Sequence, residues 1–406
     1  MKGRGRIVIV SFSTILALLL LMGAMLGQEK TSKEPYPQLG VLSEVLSRIQ
    51  TDYVEEPKFP KVTDGALHGL LEALDPYSSY LTPEEYKSYQ KKRENDASLG
   101  VVVSKRFGYV SIVSILPNGP AQKAGLEPGD IFESIDGKST REMSLAEVNY
   151  RLEGAPGSSV ALAIVRERAS EPKAFELKRA AVASPDASGR MMDSGIGYLR
   201  VQSFPKGETQ KVAAHIQELR KNGAKKFVLD LRDNALGDID EGVATANLFL
   251  GKGLIGYLSG QQYPRKSFLA DASKAIVSQE PLVVLVNQST GGAAEVVAAA
   301  ILGNKRGDVV GERTFGIGSI QKVIPLDDGS ALILSVAKYF TPSGKEIQEN
   351  GITPNVLVEE EHELVPLAGP GAAPAPPPEP TKPSDDVPLK RAIELLAGQE
   401  SQPKAA

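Results

Sequence analysis

The chain has 406 residues, 41% of them hydrophobic, and its 46 basic and 50 acidic side chains are interspersed for a formal net charge of −4. That supports about two or three domains with buried cores and excludes collagen-like, wholly disordered and disulfide-stapled classes; no basic field exists to attract nucleic acid. Cysteine is absent, and His68, His215 and His362 lie far apart without metal-site spacing, so neither a metal nor a cofactor is expected.

Lys2, Arg4 and Arg6 precede an uncharged apolar stretch from Ile7 to Gly27, long enough to span about 30 Å of hydrocarbon as a helix. It reads as a signal peptide or a membrane anchor, and the lack of a clean A-x-A site favours the anchor, with the basic flank inside and the rest of the chain exported. After a polar linker, Leu39, Val41, Leu42, Val45, Leu46 and Ile49 recur at helical spacing, as do Ala66, Leu67, Leu70, Leu71 and Leu74. Pro76 and Pro83 interrupt that pattern, and Thr82 with Glu85 predicts the cap of a new helix.

From about Ser98 the period becomes that of strands. Val101 to Val103, Tyr109 to Leu116, Ile131 to Ile135 and Val160 to Arg166 are bounded by turn signals, among them Pro128-Gly129-Asp130 and Asp136-Gly137. A short helix is expected at Ala121 to Ala124, and Ser144 with Glu147 reads as a capping box opening a helix to Leu152. Beyond this β-rich module, strands and helices alternate. Strands are expected at Gly197 to Val201, Lys226 to Leu231, Leu282 to Val286, near Val309 and at Ala331 to Val336. Helices are expected at Thr209 to Asn222, Ile239 to Leu250 and Ala294 to Leu302, an α/β layered rhythm. A proline-rich tail follows, with a short amphipathic patch at Leu389 to Ala397 that either docks on the body or stays free.

Several motifs stand in order along this frame: Leu74-Asp75-Pro76-Tyr77-Ser78-Ser79-Tyr80-Leu81, Ala124-Gly125-Leu126-Glu127-Pro128-Gly129-Asp130-Ile131, Leu229-Asp230-Leu231-Arg232-Asp233-Asn234, Gly311-Glu312-Arg313-Thr314-Phe315-Gly316 and Gly351-Ile352-Thr353-Pro354. The ordered set, over about residues 39–360, resembles the carboxyl-terminal processing peptidases, or tail-specific proteases, of bacterial envelopes and chloroplasts, serine peptidases with a PDZ domain. The resemblance implies an α/β fold, a layered crotonase/ClpP-like protease core with an inserted β-rich PDZ domain and an N-terminal helical region. The implied boundaries are 1–27 for the signal or anchor, 28–96 for the helical region, 97–182 for the PDZ-like domain, 183–362 for the core and 363–406 for the tail.

Members of that family cleave with a serine nucleophile and a neutral lysine as general base. Their run N-x-x-S-A-S-A-S-E, with the nucleophile sixth, is Asn287-Gln288-Ser289-Thr290-Gly291-Gly292-Ala293-Ala294-Glu295 here, which puts Gly292 at the serine position. Their G-K-G-S-x-Q is Gly316-Ile317-Gly318-Ser319-Ile320-Gln321, which puts Ile317 at the lysine position and retains only Gln321. Asn234-Ala235-Leu236-Gly237 stands where the family has N-P-G-G, so leucine replaces a glycine needed for close backbone approach. No catalytic set is intact. Ser289, Thr290 and Ser319 are the candidate replacement hydroxyls, and Lys305, Lys322 and His215 the candidate bases, but no pair can be assembled by spacing.

Peptide binding needs no nucleophile. Leu99, Gly100, Val101 and Val102 match the loop and strand that receive a peptide C-terminus in PDZ domains, beside a helix carrying Val148 and Leu152; the alternative is that these residues are simply core. Gly291 and Gly292 at a helix start, with Gly237 near them, are either close packing or the remnant of an anion-binding, oxyanion-type loop. The expectation is an exported homologue in a bacterial envelope, on the periplasmic or extracytoplasmic side of the inner membrane and anchored there by residues 7–27. It is a pseudoprotease that binds polypeptide C-termini or regulates a partner protease. The alternatives are an active serine endopeptidase using a displaced hydroxyl, and an envelope scaffold.

Overall fold

The computed structural model describes residues 38–91, 97–166, 171–359 and 386–398. The apolar segment 7–27 and the proline-rich run as far as residue 385 lie outside them; no helix among the described residues is long and apolar enough to cross a membrane. The chain divides into two compact units, Met1–Gly65 and Ala66–Ala406. In the first, α1 (Gln38–Asp52) forms where the apolar spacing predicts it, with Leu39, Leu42 and Val45 exposed. α2 (Phe59–Glu72) crosses the division.

In the second unit, the Asp75 carboxylate accepts the N–H groups of Tyr77 and Ser78 and folds the chain back into β1 (Ser79–Leu81). Thr82 then caps α3 (Pro83–Gln90): its hydroxyl accepts from the Glu85 N–H while the Glu85 carboxylate accepts from the Thr82 N–H at 2.8 Å, the reciprocal capping box the sequence predicts.

The β-rich module comprises β2 (Val101–Arg106), β3 (Tyr109–Ile115), α4 (Pro120–Lys123), β4 (Ile131–Ile135), β5 (Lys138–Ser139), α5 (Leu145–Leu152), β6 (Ser159–Val165) and β7 (Lys173–Lys178). Its sheet runs β2-β3-β4-β6-β7, with β5 paired to β4. Positive φ at both Asp136 and Gly137 makes the β4–β5 hairpin turn, as that dipeptide predicts. Ser144 caps α5 through the Glu147 N–H, but Glu147 does not complete a capping box; its carboxylate pairs with Lys138 at 2.8 Å and Arg151 at 2.9 Å. The module has its own core, built around Phe132, Ile135, Val148, Ile164 and Leu152.

The remaining elements are β8 (Ser188–Met192), β9 (Ile196–Arg200), α6 (Glu208–Lys221), β10 (Lys226–Asp230), α7 (Ile239–Phe249), β11 (Leu254–Ser259), β12 (Lys266–Leu269), β13 (Leu282–Val286), α8 (Ala293–Gly303), β14 (Asp308–Gly311), β15 (Ser319–Pro325), β16 (Ala331–Phe340), β17 (Val356–Leu357) and α9 (Val387–Gly398). One sheet has the order β17-β14-β13-β10-β9-β8, parallel except at β8, and a second joins β1, β16, β11, β12 and β15. The parallel sheet is covered on both faces, as its unbroken apolar strands require. Phe227, Leu229, Val284 and Val309 face α6, α7 and α8, whereas Val228, Val283, Leu285 and Val310 pack under Leu389, Ala392 and Leu396 of α9. The amphipathic patch near the C-terminus therefore docks on the body.

Candidate functional site

Three loops leave the carboxyl ends of the adjacent strands β10, β13 and β14, the edge of a parallel sheet where ligands characteristically bind. Asn287, at the end of β13, holds the first two together. Its Oδ1 accepts the Asp233 N–H at 3.0 Å and its Nδ2 donates to the Asp233 carboxylate at 2.8 Å.

The β13–α8 turn is sharp at Gly292, with φ 59° and ψ −121°. This is a strand-to-helix elbow of the kind that presents a nucleophile at the head of a helix. A Cβ at Gly292 would meet nothing closer than the Ala235 carbonyl at 4.0 Å, whereas one at Gly291 would lie 3.0 Å from Ile317 Cδ1. The expected serine and lysine positions are thus brought together, although they are 25 residues apart in the chain.

Glu295, fully buried one turn into α8, fastens them. One of its oxygens accepts the N–H groups of Gly292 at 2.9 Å and Ile317 at 2.8 Å; the other accepts the Gly316 N–H at 2.7 Å and the Thr314 hydroxyl. Burial pushes its pKa up to about 7 against the opposing pull of those four donors. Sequence reasoning passed over Glu295 as a functional residue; its signal is an acid three residues into a helix whose neighbours are all apolar.

The candidate anion loop is close packing. The Gly291 N–H donates to the Asn234 carbonyl at 2.8 Å and the Gly292 N–H is held by Glu295, so neither amide is available to a ligand. Gly237 has φ +132°, and a Cβ there would stand 2.4 Å from the Phe204 carbonyl oxygen, which accounts for glycine by backbone approach. Leu236, half-buried, turns toward the cleft described below. Gln321 Nε2 donates to Ser319 Oγ at 2.8 Å and Ser335 Oγ at 3.3 Å, and Ser335 donates to Asp75 at 3.1 Å, which ties the Leu74-Asp75-Pro76 motif to β16.

The replacement candidates stay apart. The Thr290 hydroxyl is buried, accepts the Asn287 N–H and donates toward the Leu231 carbonyl and Asn287 Oδ1. Ser289 is buried within the turn, and Ser319 is engaged by Gln321. Among the described residues none of these hydroxyls bonds to a lysine or histidine. His215 bonds the Ala187 carbonyl at 3.0 Å, while Lys305 and Lys322 are exposed.

A cleft of about 830 Å³ runs from the β-rich module to the core. Its walls include Val101, Val102, Leu145, Asn149 and Tyr150, and it reaches Leu236 and Gln321. Leu99 is fully buried and Gly100 takes φ +74°, and neither lines the cleft. Val148 and Leu152, expected to face a peptide, are 0% and 3% exposed and belong to the module's core; the helix wall is formed by the residues beside them. Ser114 of β3 donates to the Asp233 carbonyl at 2.5 Å, and the Arg106 guanidinium lies 4.0 Å from the Phe315 ring centroid and donates to the Phe315 carbonyl, so the module touches two of the three site loops.

The fold and this site define a layered α/β serine-peptidase scaffold carrying a PDZ domain. Residues 195–358 match the model of peptidase family S41 and residues 111–166 that of the PDZ domain. The chain is 32% identical over 330 residues to the carboxy-terminal-processing protease of Bartonella bacilliformis, covering 80% of this chain and 76% of the relative. It is 33% identical over 359 residues to the carboxyl-terminal-processing protease of Synechocystis sp., covering 86% and 81%. Its structure superimposes on that of the photosystem II D1 C-terminal processing protease with a TM-score of 0.67 at 29% identity, covering 78% of this chain and 86% of the other. The chain belongs to the carboxyl-terminal processing protease family.

Proposed function

We propose that this protein is a family member that has kept the peptide path and lost the chemistry: it binds polypeptide C-termini, or through them regulates a partner protease. One observation carries the reading. At the elbow where a nucleophile belongs there is Gly292, with open space in place of a side chain, and the group closing on that turn is the alkyl chain of Ile317. Neither can attack a carbonyl or accept a proton, so loss of both removes nucleophilic catalysis outright. The cleft that ends beside Leu236 supports retained peptide binding, with an extended ligand adding along β2.

The basic flank and apolar stretch of residues 2–27 support export, with the folded part on the extracytoplasmic side of a bacterial inner membrane. The test compares the natural chain with a Gly292→Ser, Ile317→Lys double variant on an unfolded polypeptide with an apolar C-terminus, following cleavage by mass spectrometry. Cleavage by the double variant alone is the expected result. Cleavage by the natural chain overturns the reading and turns attention to Ser289, Thr290 and Ser319, each substituted in turn.

A further inference from the structure

The two ends of one segment are fixed beside the cleft. Leu357 of β17 pairs in parallel with Gly311 of β14, and the Val358 N–H donates to the Gly311 carbonyl at 3.0 Å, so the chain leaves the sheet at the edge that carries the site loops. It comes back at that same edge. Asp386 binds Arg232 with two bonds of 2.9 and 2.7 Å and accepts the Leu389 N–H at 3.0 Å at the head of α9. Arg232 follows β10 directly, four residues before Leu236, which lines the cleft. Between these ends lie residues 360–385, outside the described residues, with Pro374, Pro376, Pro377, Pro378 and Pro380 near their middle. At about 3.1 Å per residue in a polyproline II helix, a segment of that length has a contour of roughly 80 Å, ample to reach a cleft beside which both its ends are held.

The chemistry of the segment suits the cleft walls. Tyr77, Tyr89 and Tyr150 line the cleft from the turn after Asp75, from α3 and from α5. Tyrosine-lined grooves take polyproline II ligands because such a ligand is ordered before it binds, and its carbonyls, which make no internal hydrogen bonds, are open to hydroxyl donors. Consecutive prolines have no N–H to give and cannot add along β2 as a paired strand, so the aromatic walls are what this segment fits. Charge agrees: residues 360–385 carry five acidic side chains against one lysine, and Lys91 stands exposed on the cleft at the end of α3.

We propose that the cleft is occupied by the chain's own proline-rich segment, centred on residues 374–380 and packed against Tyr89 and Tyr150, so that any other polypeptide has to displace it. This deepens the proposed peptide-binding reading by naming what regulates that cleft, and it rests on that reading. A segment tethered at both ends is presented at an effective concentration on the order of 1 mM, so an intrinsic Kd of about 0.1 mM lowers the apparent affinity for a competing ligand about tenfold.

The experiment uses the full chain in two forms, the natural one and one with Pro374, Pro376, Pro377, Pro378 and Pro380 all changed to serine, which keeps the length and charge of the segment. Fluorescence anisotropy gives the affinity of each form for one labelled apolar hexapeptide. The serine form is expected to bind it about tenfold more tightly, and a synthetic peptide of residues 370–383 is expected to displace it from that form. Tyr89→Ala is expected to separate the two ligands: it tightens hexapeptide binding to the natural chain several-fold and weakens the synthetic peptide on the serine form. A synthetic peptide that binds without displacing the hexapeptide overturns the assignment to the cleft. A difference between the forms that grows with protein concentration gives the occupancy to a second copy and overturns the intramolecular assignment. Hexapeptide binding to neither form defeats the parent reading and this one with it, whereas equal binding to both defeats only this one.

Discussion

Gly292 and Ile317 donate their N–H groups to the same carboxylate oxygen of Glu295, at 2.9 and 2.8 Å. The two positions that the sequence motifs assign to a nucleophile and a base are thus held in mutual register by a third residue and not by their own side chains. Glu295 thereby fixes the geometry of the turn before α8 against the loop after β14. Replacing Glu295 with alanine leaves the N–H groups of Gly292, Gly316 and Ile317 and the Thr314 hydroxyl without their common acceptor. The expected loss is about 2–4 kcal/mol in urea denaturation, with the activity of a Gly292→Ser, Ile317→Lys background abolished.

The same carboxyl makes stability depend on pH. Its folded pKa of about 7 exceeds the ordinary 4.5, so the folded chain binds more protons than the unfolded one between those values. Its contribution is complete below pH of about 4.5 and lost as pH rises through about 7. Measured against Glu295→Gln, which cancels every other titration, the natural chain is expected to lose roughly 3 kcal/mol between pH 4.5 and 8, from the interval between the two pKa values. A difference that is flat across this range rejects the assignment.

The two site glycines respond differently to substitution. Gly292→Ser has room, its nearest neighbour standing at 4.0 Å, so the change costs only the strain of a left-handed backbone, about 1–3 kcal/mol. Gly237→Ala brings a Cβ to 2.4 Å from the Phe204 carbonyl oxygen and is expected to cost more, with the 234–237 loop displaced. Paired denaturation curves give the ranking.

Leu396 of α9 is completely buried on the parallel sheet, and Asp386 just before the helix makes a fork of 2.9 and 2.7 Å to Arg232. Leu396→Ala is expected to cost about 3 kcal/mol, and removal of residues 386–406 to uncover Val228, Val283 and Leu285 to an apolar dye. Because Arg232 also binds Asp230, which pairs with Arg200 and through it reaches Asp233, Asp386→Asn is expected to shift amide resonances in the 230–237 loop.

Core and groove residues on α5 separate by the same test. Val148→Ala is expected to lower stability by about 2–3 kcal/mol, with peptide affinity falling only as the fold loosens. Tyr150, 47% exposed on the cleft wall, is expected on alanine substitution to leave stability within about 0.5 kcal/mol while weakening peptide binding several-fold. A large affinity loss in a fully folded Val148→Ala would place it back in the groove.

The elements legible in the sequence are those whose local signal agrees with their tertiary use. β10 and β13 are continuous apolar runs because both faces are covered, and the Thr82 and Glu85 pair caps a helix whose partners lie three residues apart. β8 is an edge strand with four of its five residues exposed, and β12 is four residues of which three are exposed, so neither carries a period to read. The capping box at Ser144 fails because Glu147 finds two cations nearby and answers to them instead.

Sequence alone determined the covalent facts of the site: glycine at position 292, isoleucine at 317, leucine at 236, no thiol anywhere, and an ordered motif set that names the family. Those are identities, and no packing can alter them. Tertiary structure decided everything that depends on proximity between distant positions: that 292 and 317 share one buried carboxylate, that the amides of Gly291 and Gly292 are already engaged, and that Val148 and Leu152 face inward. Period and propensity act over a few residues, whereas hydrogen-bond occupancy and charge compensation are settled by whichever segments the folded sheets bring alongside.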